Sequence, residues 1–561
     1  MNDPTSELSY TQGDIAKFLT AALLGAATAV ALNALFSLPE TIRSVWGLAG
    51  AGLAITFSGT SILLNEYRPA WRKLVTPAAL GALIGILTLW RTLQSAEPLS
   101  ESGFMMVFWI GLGAPLLVFL VLTLVATARE TGGFHFPHNI MFKHAVRLPV
   151  AAAGGVAVGV AVALFISLWS AAFSALGAGW ISAILTSRWT ILIATAAAAG
   201  IGTTFTLHNN RLLGTGETAL VIGARILLPL LAVFSAIFAV ALPFTGLEPL
   251  GETLSPTAFL LALAITAKLV FNGVYQDGLR PPVRPLRWAV WLSLAVLPVY
   301  AVMALYGIGI RVAEHGLTPE RFVVLVAAAL VAGYTVLLLG GLLSEFTKSE
   351  KWMPPVARLN SAFAVILVVL LVMMQTPILD PLEWSARSQS ARLKNETVKV
   401  EDFDFAYMQF RLGKPGKRAL ANMETWTEHP KSQRIRAKVR EVRSKDNYWS
   451  EPTPENLERI EKITIPDDIE EKLKGFDREI RDNVKRYAME LETTAGRLRS
   501  FECEIEGMDV YNPLRTQILE LIQERKSKLY DYSRPLNAAR APVSDALNAG
   551  CSPPDASPTS N

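Results

Sequence analysis

The chain has 561 residues, of which 51% are hydrophobic and only 18% are charged. An ordinary soluble protein carries about 25% charged residues, so this composition excludes a globular protein without membrane segments. The deficit lies in residues 1–379, which hold 21 Lys and Arg and 16 Asp and Glu, whereas residues 380–561 hold 31 and 32. A net charge of +4 spread in this way predicts a membrane protein with a nearly neutral soluble region, and it predicts no nucleic-acid partner.

Eleven apolar segments are long enough to cross a bilayer, which takes roughly 20 helical residues. The third is short enough to be re-entrant, and the fifth is long enough to be tilted or bent. The residues before the first span carry three acids and one Lys, the wrong flank for a secretory signal, so we predict that this span is retained. The predicted spans are 18–38, 45–64, 74–90, 104–127, 148–178, 189–207, 218–242, 255–274, 288–310, 322–343 and 359–377.

The loop charges predict the orientation, because Lys and Arg are retained on the cytoplasmic side. With the N-terminus inside, the inside segments hold fourteen Lys and Arg. The outside loops then hold five, which are Arg43, Arg91, Arg188, Arg311 and Arg321. Since the number of spans is odd, the residues after the last span are predicted to lie outside.

The region after the spans is predicted to be mainly helical with a little strand. FDFAYMQFRLG has helical apolar spacing and ends on Gly413, whereas 463–466 and 501–507 alternate like short strands. The fold class is therefore an α-helical polytopic membrane protein of about eleven transmembrane helices with a C-terminal, mainly helical α+β extracytoplasmic domain. The predicted parts are a four-helix segment with a basic cytoplasmic loop at 1–147, a bundle of about seven spans at 148–379, the soluble domain at 380–540 and a disordered tail at 541–561.

The turn between the ninth and tenth spans has a readable local chemistry. Gly316 can adopt the left-handed conformation that closes a helix, and Leu317 can pack back on the last turn. Thr318 offers an N-cap oxygen, and Pro319 suits the first helical position. The extracytoplasmic turn predicted here as a site comprises Arg311, Glu314, His315, Gly316, Thr318 and Arg321.

Two blocks of sequence carry a family resemblance. RVAEHGLTPERF, together with its flanking apolar segments, and the block that follows the last span resemble a bacterial polytopic inner-membrane family catalogued as domain of unknown function 4153. The second block matches at Ser388, Gln389, Arg392, Leu393, Phe403, Asp404, Phe405, Phe410, Gly413, Gly416, Ala419 and Leu420. The resemblance covers about residues 145–425. It implies a bacterial inner-membrane protein with a domain beyond the last span, and it implies no activity.

Two cations fall inside predicted spans, and none of the predicted spans contains an Asp or Glu. Arg225 and Lys268 lie on the seventh and eighth spans, near their cytoplasmic ends, with Arg280, Arg284 and Arg287 just beyond. These five residues are the candidate site for an anionic lipid or a phosphate-bearing ligand. The simpler alternative, which we favour, is that the two long side chains reach the headgroup layer.

Other candidate chemistry is weak, and no catalytic residue, metal site or cofactor is predicted. The chain has no G-x-S-x-G elbow, P-loop or H-E-x-x-H. His135, His138 and His144 share a predicted cytoplasmic loop that has no Cys, so a plain loop is favoured over a zinc site. Asp404 is better explained as a helix cap or a buried structural acid than as a catalytic residue. Cys503 and Cys551 are the only cysteines, and they either pair in the oxidising periplasm or remain free thiols.

The small residues Gly155 and Gly159 allow two helices to approach closely, and packing within one chain is preferred to a homodimer face. Membrane lipids are the predicted partners, with envelope proteins or a second copy as further possibilities. The preferred function is an envelope-associated binding or maintenance protein that presents a periplasmic domain. The alternative is a permease or flippase-like transporter of an anionic or lipid-linked molecule, and an enzyme is less favoured.

The predicted topology can be tested with reporter fusions. Alkaline phosphatase is active only outside the cytoplasm, so a fusion after residue 400 should be active and a fusion after Arg287 should be inactive. The opposite pattern of activities would refute the orientation.

Overall fold

The computed structural model describes residues 11–39, 42–64, 72–95, 104–245, 255–343 and 352–445, and Tyr448. Within these ranges the regular structure is helical and no β-strand occurs. The expected strands at 463–466 and 501–507 lie outside the described residues, as do Cys503 and Cys551. The α+β character of the soluble domain therefore has no support in the described part, where only its helices are seen.

Eleven of the described helices are long and apolar enough to cross a membrane, which confirms the predicted polytopic class. The spans are α1 (Gln12–Phe36), α2 (Leu48–Leu63), α3 (Arg72–Gln94), α4 (Phe104–Thr131), α5 (His138–Ala175), α7 (Arg188–His208), α8 (Asn210–Thr245), α9 (Pro256–Tyr275), α10 (Arg284–His315), α11 (Pro319–Leu343) and α12 (Pro354–Met373). The shorter helices are α6 (Gly179–Leu185), α13 (Pro381–Lys394), α14 (Gly413–Glu424) and α15 (Ser432–Arg443).

The chain divides into two units at residue 435. Residues 380–435 belong to the same unit as the spans. The described residues of the second unit are 436–445 and Tyr448, and they include the end of α15 with an ion pair between Lys438 and Glu441 at 2.7 Å.

Successive spans of the first unit are joined at alternate ends of the bundle. We call the end where α1 begins the near face and the end where α1 finishes the far face. The near face carries the connections from α4 to α5, α7 to α8, α9 to α10 and α11 to α12. The far face carries the α10–α11 turn and the exit of the chain from α12 into α13.

Local chemistry explains where several helices begin and end. Thr11 and Asp14 form a reciprocal capping box at the start of α1, with a bond of 3.3 Å from the Asp14 amide to the Thr11 hydroxyl. The helices α9, α12 and α13 each begin with proline, whose missing N–H is not needed there. The helix α4 ends at Gly132, which has a φ of 74° that other residues rarely adopt.

The third span corrects the sequence prediction. It was expected to be short and possibly re-entrant, but α3 has 23 residues and is about 34 Å long, enough to cross a bilayer. Arg91, which was counted among the outside loop cations, lies within this helix and is completely buried. The helix extends past residue 90 because polar partners from other segments satisfy the Arg91 side chain. The fifth span is long, as expected, with 38 residues.

Small residues bring three helices into backbone contact. A side chain at Gly25 of α1 would collide with the carbonyl of Ala196 on α7, and one at Gly200 of α7 would collide with the carbonyl of Ala21. On the other side of α7, a Cβ at Gly155 would lie 2.7 Å from the Ala199 carbonyl oxygen. The interpretation that the glycines of α5 pack within one chain is therefore confirmed.

Two of the apolar clusters lie inside the bundle. The larger one lies among α8 to α12 and is centred on fully buried side chains such as Leu228, Phe271 and Val290. The smaller one joins α3 and α4 with α12 through Trp109 and Leu371. Because α12 contributes to both clusters, it connects the two halves of the bundle.

Enlarging the contact between α1 and α7 should destabilise the protein. Gly200→Ala forces the two backbones apart, and we expect a loss of about 1–3 kcal/mol, measured as a lower midpoint of thermal unfolding in detergent. The control is Gly223→Ala on α8, where an added Cβ meets nothing within 4 Å. This control should be neutral or slightly stabilising, because alanine favours a helix. Equal midpoints for the two variants would contradict the close approach.

Candidate functional site

The start of α11 follows the sequence prediction, whereas Gly316 has a ψ of 176°, outside the left-handed helical region that the sequence predicts. Gly316 ends α10 with a φ of 75°, and the Thr318 hydroxyl accepts a hydrogen bond of 3.3 Å from the Arg321 amide. Pro319 is the first residue of α11, and Leu317 is buried. The Arg321 guanidinium donates a bond of 2.8 Å to the Gly316 carbonyl oxygen, so the turn is closed from both sides.

The second family block binds this turn directly. Arg392 of α13 donates from Nη1 to the His315 carbonyl oxygen at 2.6 Å and from Nη2 to the Glu314 carbonyl oxygen at 2.7 Å. Gln389 donates from Nε2 to the carbonyl oxygens of His315 and Leu317, at 3.1 and 3.0 Å. These carbonyls end α10 and have no partner within the helix. The two blocks that carry the family resemblance therefore form one junction at the far face.

Glycine is required at the centre of the junction. The Ser388 hydroxyl accepts a bond of 3.0 Å from the Leu317 amide, which brings α13 close to the turn. A Cβ at Gly316 would lie 2.6 Å from Cδ of Arg392, in addition to being strained at a positive φ. Burial, and then the positive charge of Arg321, lowers the pKa of Arg392.

The FDF part of the second block also contacts the turn. The Asp404 carboxylate accepts a bond of 2.7 Å from the Tyr407 amide, so the interpretation of Asp404 as a cap is confirmed. The residues predicted to form a helix instead form a π-helical turn at Tyr407–Arg411, followed by Gly413 with a φ of 57°. The Tyr407 side chain hydrogen-bonds that of Thr318, and burial raises the pKa of Tyr407.

A buried ion pair joins α3 to the chain as it leaves the last span. Arg91 Nη1 lies 3.0 Å from the Asp380 carboxylate, and neither side chain is more than 3% exposed. The same guanidinium donates from Nε to Gln375 and from Nη2 to the Met374 carbonyl oxygen, both at 2.8 Å. Asp380 also caps α13 by accepting a bond of 3.1 Å from the Leu382 amide. The sequence analysis missed this site, because the partners are 289 residues apart.

The remaining residues of the predicted turn site lie nearer the surface. Arg311 donates to the Ser255 hydroxyl at 3.3 Å, which connects the end of α10 to the start of α9. The side chains of Glu314 and His315 are 61% and 63% exposed and lie 3.7 Å apart. In this turn the main-chain carbonyls of residues 314, 315 and 317, rather than the side chains, make the contacts with α13.

The predicted cation site is spread over the near face. Gly273, near the end of α9, packs against Ala224 of α8, because a Cβ at Gly273 would lie 2.6 Å from Ala224. Arg225 follows Ala224 and therefore lies at the same depth as the end of α9. Its side chain is exposed. Lys268 is five residues earlier on α9 and therefore about 7 Å deeper. Its ammonium lies over the rings of Tyr334 and Phe363, at 4.2 and 3.8 Å.

The three arginines after α9 also lie at the near face. Arg280 and Arg284 are exposed, and Arg287 lies 5.4 Å from the ring of Trp291. Their exposure fits contact with the headgroup layer, so the five predicted residues share one end of the bundle but occupy two depths.

The remaining candidate side chains are histidines and carboxylates. No group of His, Cys, Asp and Glu in the described part of the chain could hold a metal ion. His144 lies 2.8 Å from Glu130, and His138 packs against Tyr275 with ring centroids 5.4 Å apart. The helix α8 begins at Asn210 rather than at residue 218, so it includes the carboxylate of Glu217 close to the near face.

Breaking the buried ion pair should destabilise the junction. Arg91→Met leaves the Asp380 charge buried without its partner, and we expect a loss of about 3–5 kcal/mol, measured by thermal unfolding in detergent. The control is Arg387→Met, because the ion pair of Arg387 with Glu383 at 2.9 Å is exposed on the arginine side. That change should cost less than about 1 kcal/mol. If Arg91→Met unfolds at the same temperature as Arg387→Met, the pair does not stabilise the fold.

The comparisons with known proteins identify a family without an assigned role. The family described as "Domain of unknown function (DUF4153)" matches residues 18–423. The match includes both blocks of the junction and also the first four spans, which the sequence resemblance did not cover. No curated protein and no solved structure matches the chain. Since the match covers well over half of its 561 residues, this multi-span membrane protein belongs to the family of domain of unknown function 4153.

Proposed function

We propose that this protein is an envelope-associated binding or maintenance protein of the bacterial inner membrane. Its N-terminus lies in the cytoplasm, and the bundle presents the residues after 380 in the periplasm to lipids, cell wall or partner proteins. The observation that carries this proposal is the junction in which Arg392 and Gln389 bind the main-chain carbonyls at the end of α10.

The attachment of the segment after α12 supports a presenting role. The segment contacts the end of α10 and the α10–α11 turn through Arg392 and Gln389, and it contacts α3 through Asp380. Farther along, a Cβ at Gly413 would collide with the carbonyl of Gln94, so the backbone of α14 rests on the end of α3. A segment bound to several spans is itself held at the far face of the bundle.

The packing of the bundle also favours a binding role. The helices α1, α5 and α7 touch through backbone atoms at Gly25, Gly155 and Gly200, which leaves no space between them for a solute. The charge asymmetry of the loops supports the proposed orientation, because the arginine-rich near face would be cytoplasmic.

Transport is the second candidate function, and one observation favours it. Lys268 lies inside the bundle beside Tyr334, Asn360 and Asn272, which form a hydrogen-bonded chain across α9, α11 and α12. Polar groups within a membrane often line the path of a solute. A permease or flippase-like protein for an anionic or lipid-linked molecule would use this region.

The junction can be tested in cells that lack the gene. Loss of the protein should increase uptake of a hydrophobic dye and sensitivity to detergent, and the wild-type gene should restore both. Double replacement by Gln389→Ala and Arg392→Ala removes four hydrogen bonds to main-chain carbonyls in the last turn of α10 and in the α10–α11 turn. It should fail to restore the envelope even when the protein reaches the membrane in normal amounts.

The matched control is Arg387→Ala on the same helix. This side chain is 69% exposed and does not contact the turn, so the control should restore the envelope fully. Normal envelope properties in the deletion strain, combined with reduced uptake or translocation of an anionic compound, would reject the binding role and support transport.

A further inference from the structure

Lys268 differs from the other buried cation of the bundle. Arg91 is paired with Asp380, whereas no carboxylate of the described residues pairs with Lys268. Lys268 is seven residues before Tyr275, the end of α9, and so lies about 10 Å inside the near face. The faces of two aromatic rings stabilise its ammonium only partly, because they carry no net charge. The described residues therefore supply no counter-charge at this site.

The Lys268 ammonium does not extend toward the near face. A Cα–Cβ bond in a helix points toward the N-terminus, which in α9 is the far face, so the Lys268 side chain starts in the inward direction. Its Nζ contacts Phe363, nine residues after the start of α12 and therefore about 13 Å from that end. The contact with Tyr334 lies at a similar depth. This geometry argues against the simpler interpretation that the side chain extends to the membrane surface.

A series of side-chain hydrogen bonds holds the Asn272 amide, a second hydrogen-bond donor, near Lys268. The Tyr334 hydroxyl donates to the Asn360 amide oxygen, and Asn360 Nδ2 donates to the Asn272 amide oxygen at 3.2 Å. The N–H groups of the Asn272 side chain take no part in this series of hydrogen bonds, and no acceptor for them occurs in the described part of the protein. Asn272 is one helical turn after Lys268, so the two donors share one face of α9.

The site opens toward the lipid. On the same stretch of α9, Ile265 and Leu269 are 40% and 64% exposed, and such apolar surface in a membrane faces acyl chains. Lys268 itself is partly exposed between this surface and the buried core. An anion that carries acyl chains can therefore approach from the bilayer without entering the packed interior.

We propose that Lys268 and Asn272 bind the phosphodiester group of an anionic phospholipid between α9 and the α11–α12 pair. One free phosphate oxygen accepts from the Lys268 ammonium and the other accepts from the Asn272 amide, while the acyl chains lie against Ile265 and Leu269. A phosphodiester has one negative charge and two free oxygens, which matches one cation and one amide donor. The site is independent of the far-face junction and of the proposed role in the envelope.

The test measures lipid retained by the purified full-length protein, using native mass spectrometry. Wild-type protein should keep phosphatidylglycerol or cardiolipin, and Lys268→Met should lower the retained amount by about tenfold. Asn272→Leu should lower it by about threefold, and Lys268→Arg should restore most of the binding. The control is Arg358→Met, an exposed cation on α12 near the same face, which should change retention by less than about twofold.

Two further measurements make the result decisive. Reconstitution with phosphatidylcholine should give weaker retention, because the choline cation of that headgroup competes with Lys268 for the charge of the phosphodiester. Millimolar inorganic phosphate should not displace the lipid, and displacement would show that the ligand is free phosphate. Because Asn272→Leu keeps the lysine, it tests the site even if Lys268→Met fails to fold. Equal retention in wild type, Asn272→Leu and any folded Lys268 variant, or a loss confined to Arg225→Met, would overturn the proposal.

Discussion

The structure depends on how the carbonyl groups at helix ends are satisfied. In a membrane, backbone groups that lack a helical partner find little water, and each buried one costs several kcal/mol. This protein uses side chains from distant segments for the purpose. Arg91 binds the Met374 carbonyl beside the end of α12, Arg392 binds the end of α10, and Arg147 binds the Leu207 carbonyl near the end of α7. Each of these contacts also joins two helices, so one interaction satisfies the backbone and assembles the bundle.

The coarse architecture was predictable because it follows from local signals. Hydropathy predicted all eleven spans, and Thr318 with Pro319 predicted that α11 begins directly after the α10–α11 turn. The partners of that turn were not predictable. Gln389 and Arg392 lie more than 70 residues away, and their motif shows neither which carbonyls they bind nor that they bind carbonyls at all. The local sequence predicts where a helix or turn forms, but the residues that contact it depend on tertiary packing.

The errors have physical causes of the same kind. Arg91 looked like a loop residue because a charged side chain normally ends an apolar span, but Asp380 neutralises it. The π-helical turn at Tyr407–Arg411 has the apolar spacing of an ordinary helix, and the spacing does not reveal the extra residue per turn. Gly25 lies in α1 and Gly200 lies in α7, so no motif within one helix predicts that α1 and α7 pack at these glycines.

The ion pair of Arg91 and Asp380 can form only after most of the bundle has been synthesised. The two residues are 289 positions apart, so a ribosome adding about 5–20 residues per second makes the arginine roughly 15–60 s before its partner. During that interval α3 holds an unmatched charge near one end of the span. That charge stays without Asp380 until the residues after the last span have been made. Completion of the pair is thus a late event in biogenesis, and it couples the insertion of the first helices to the arrival of the last.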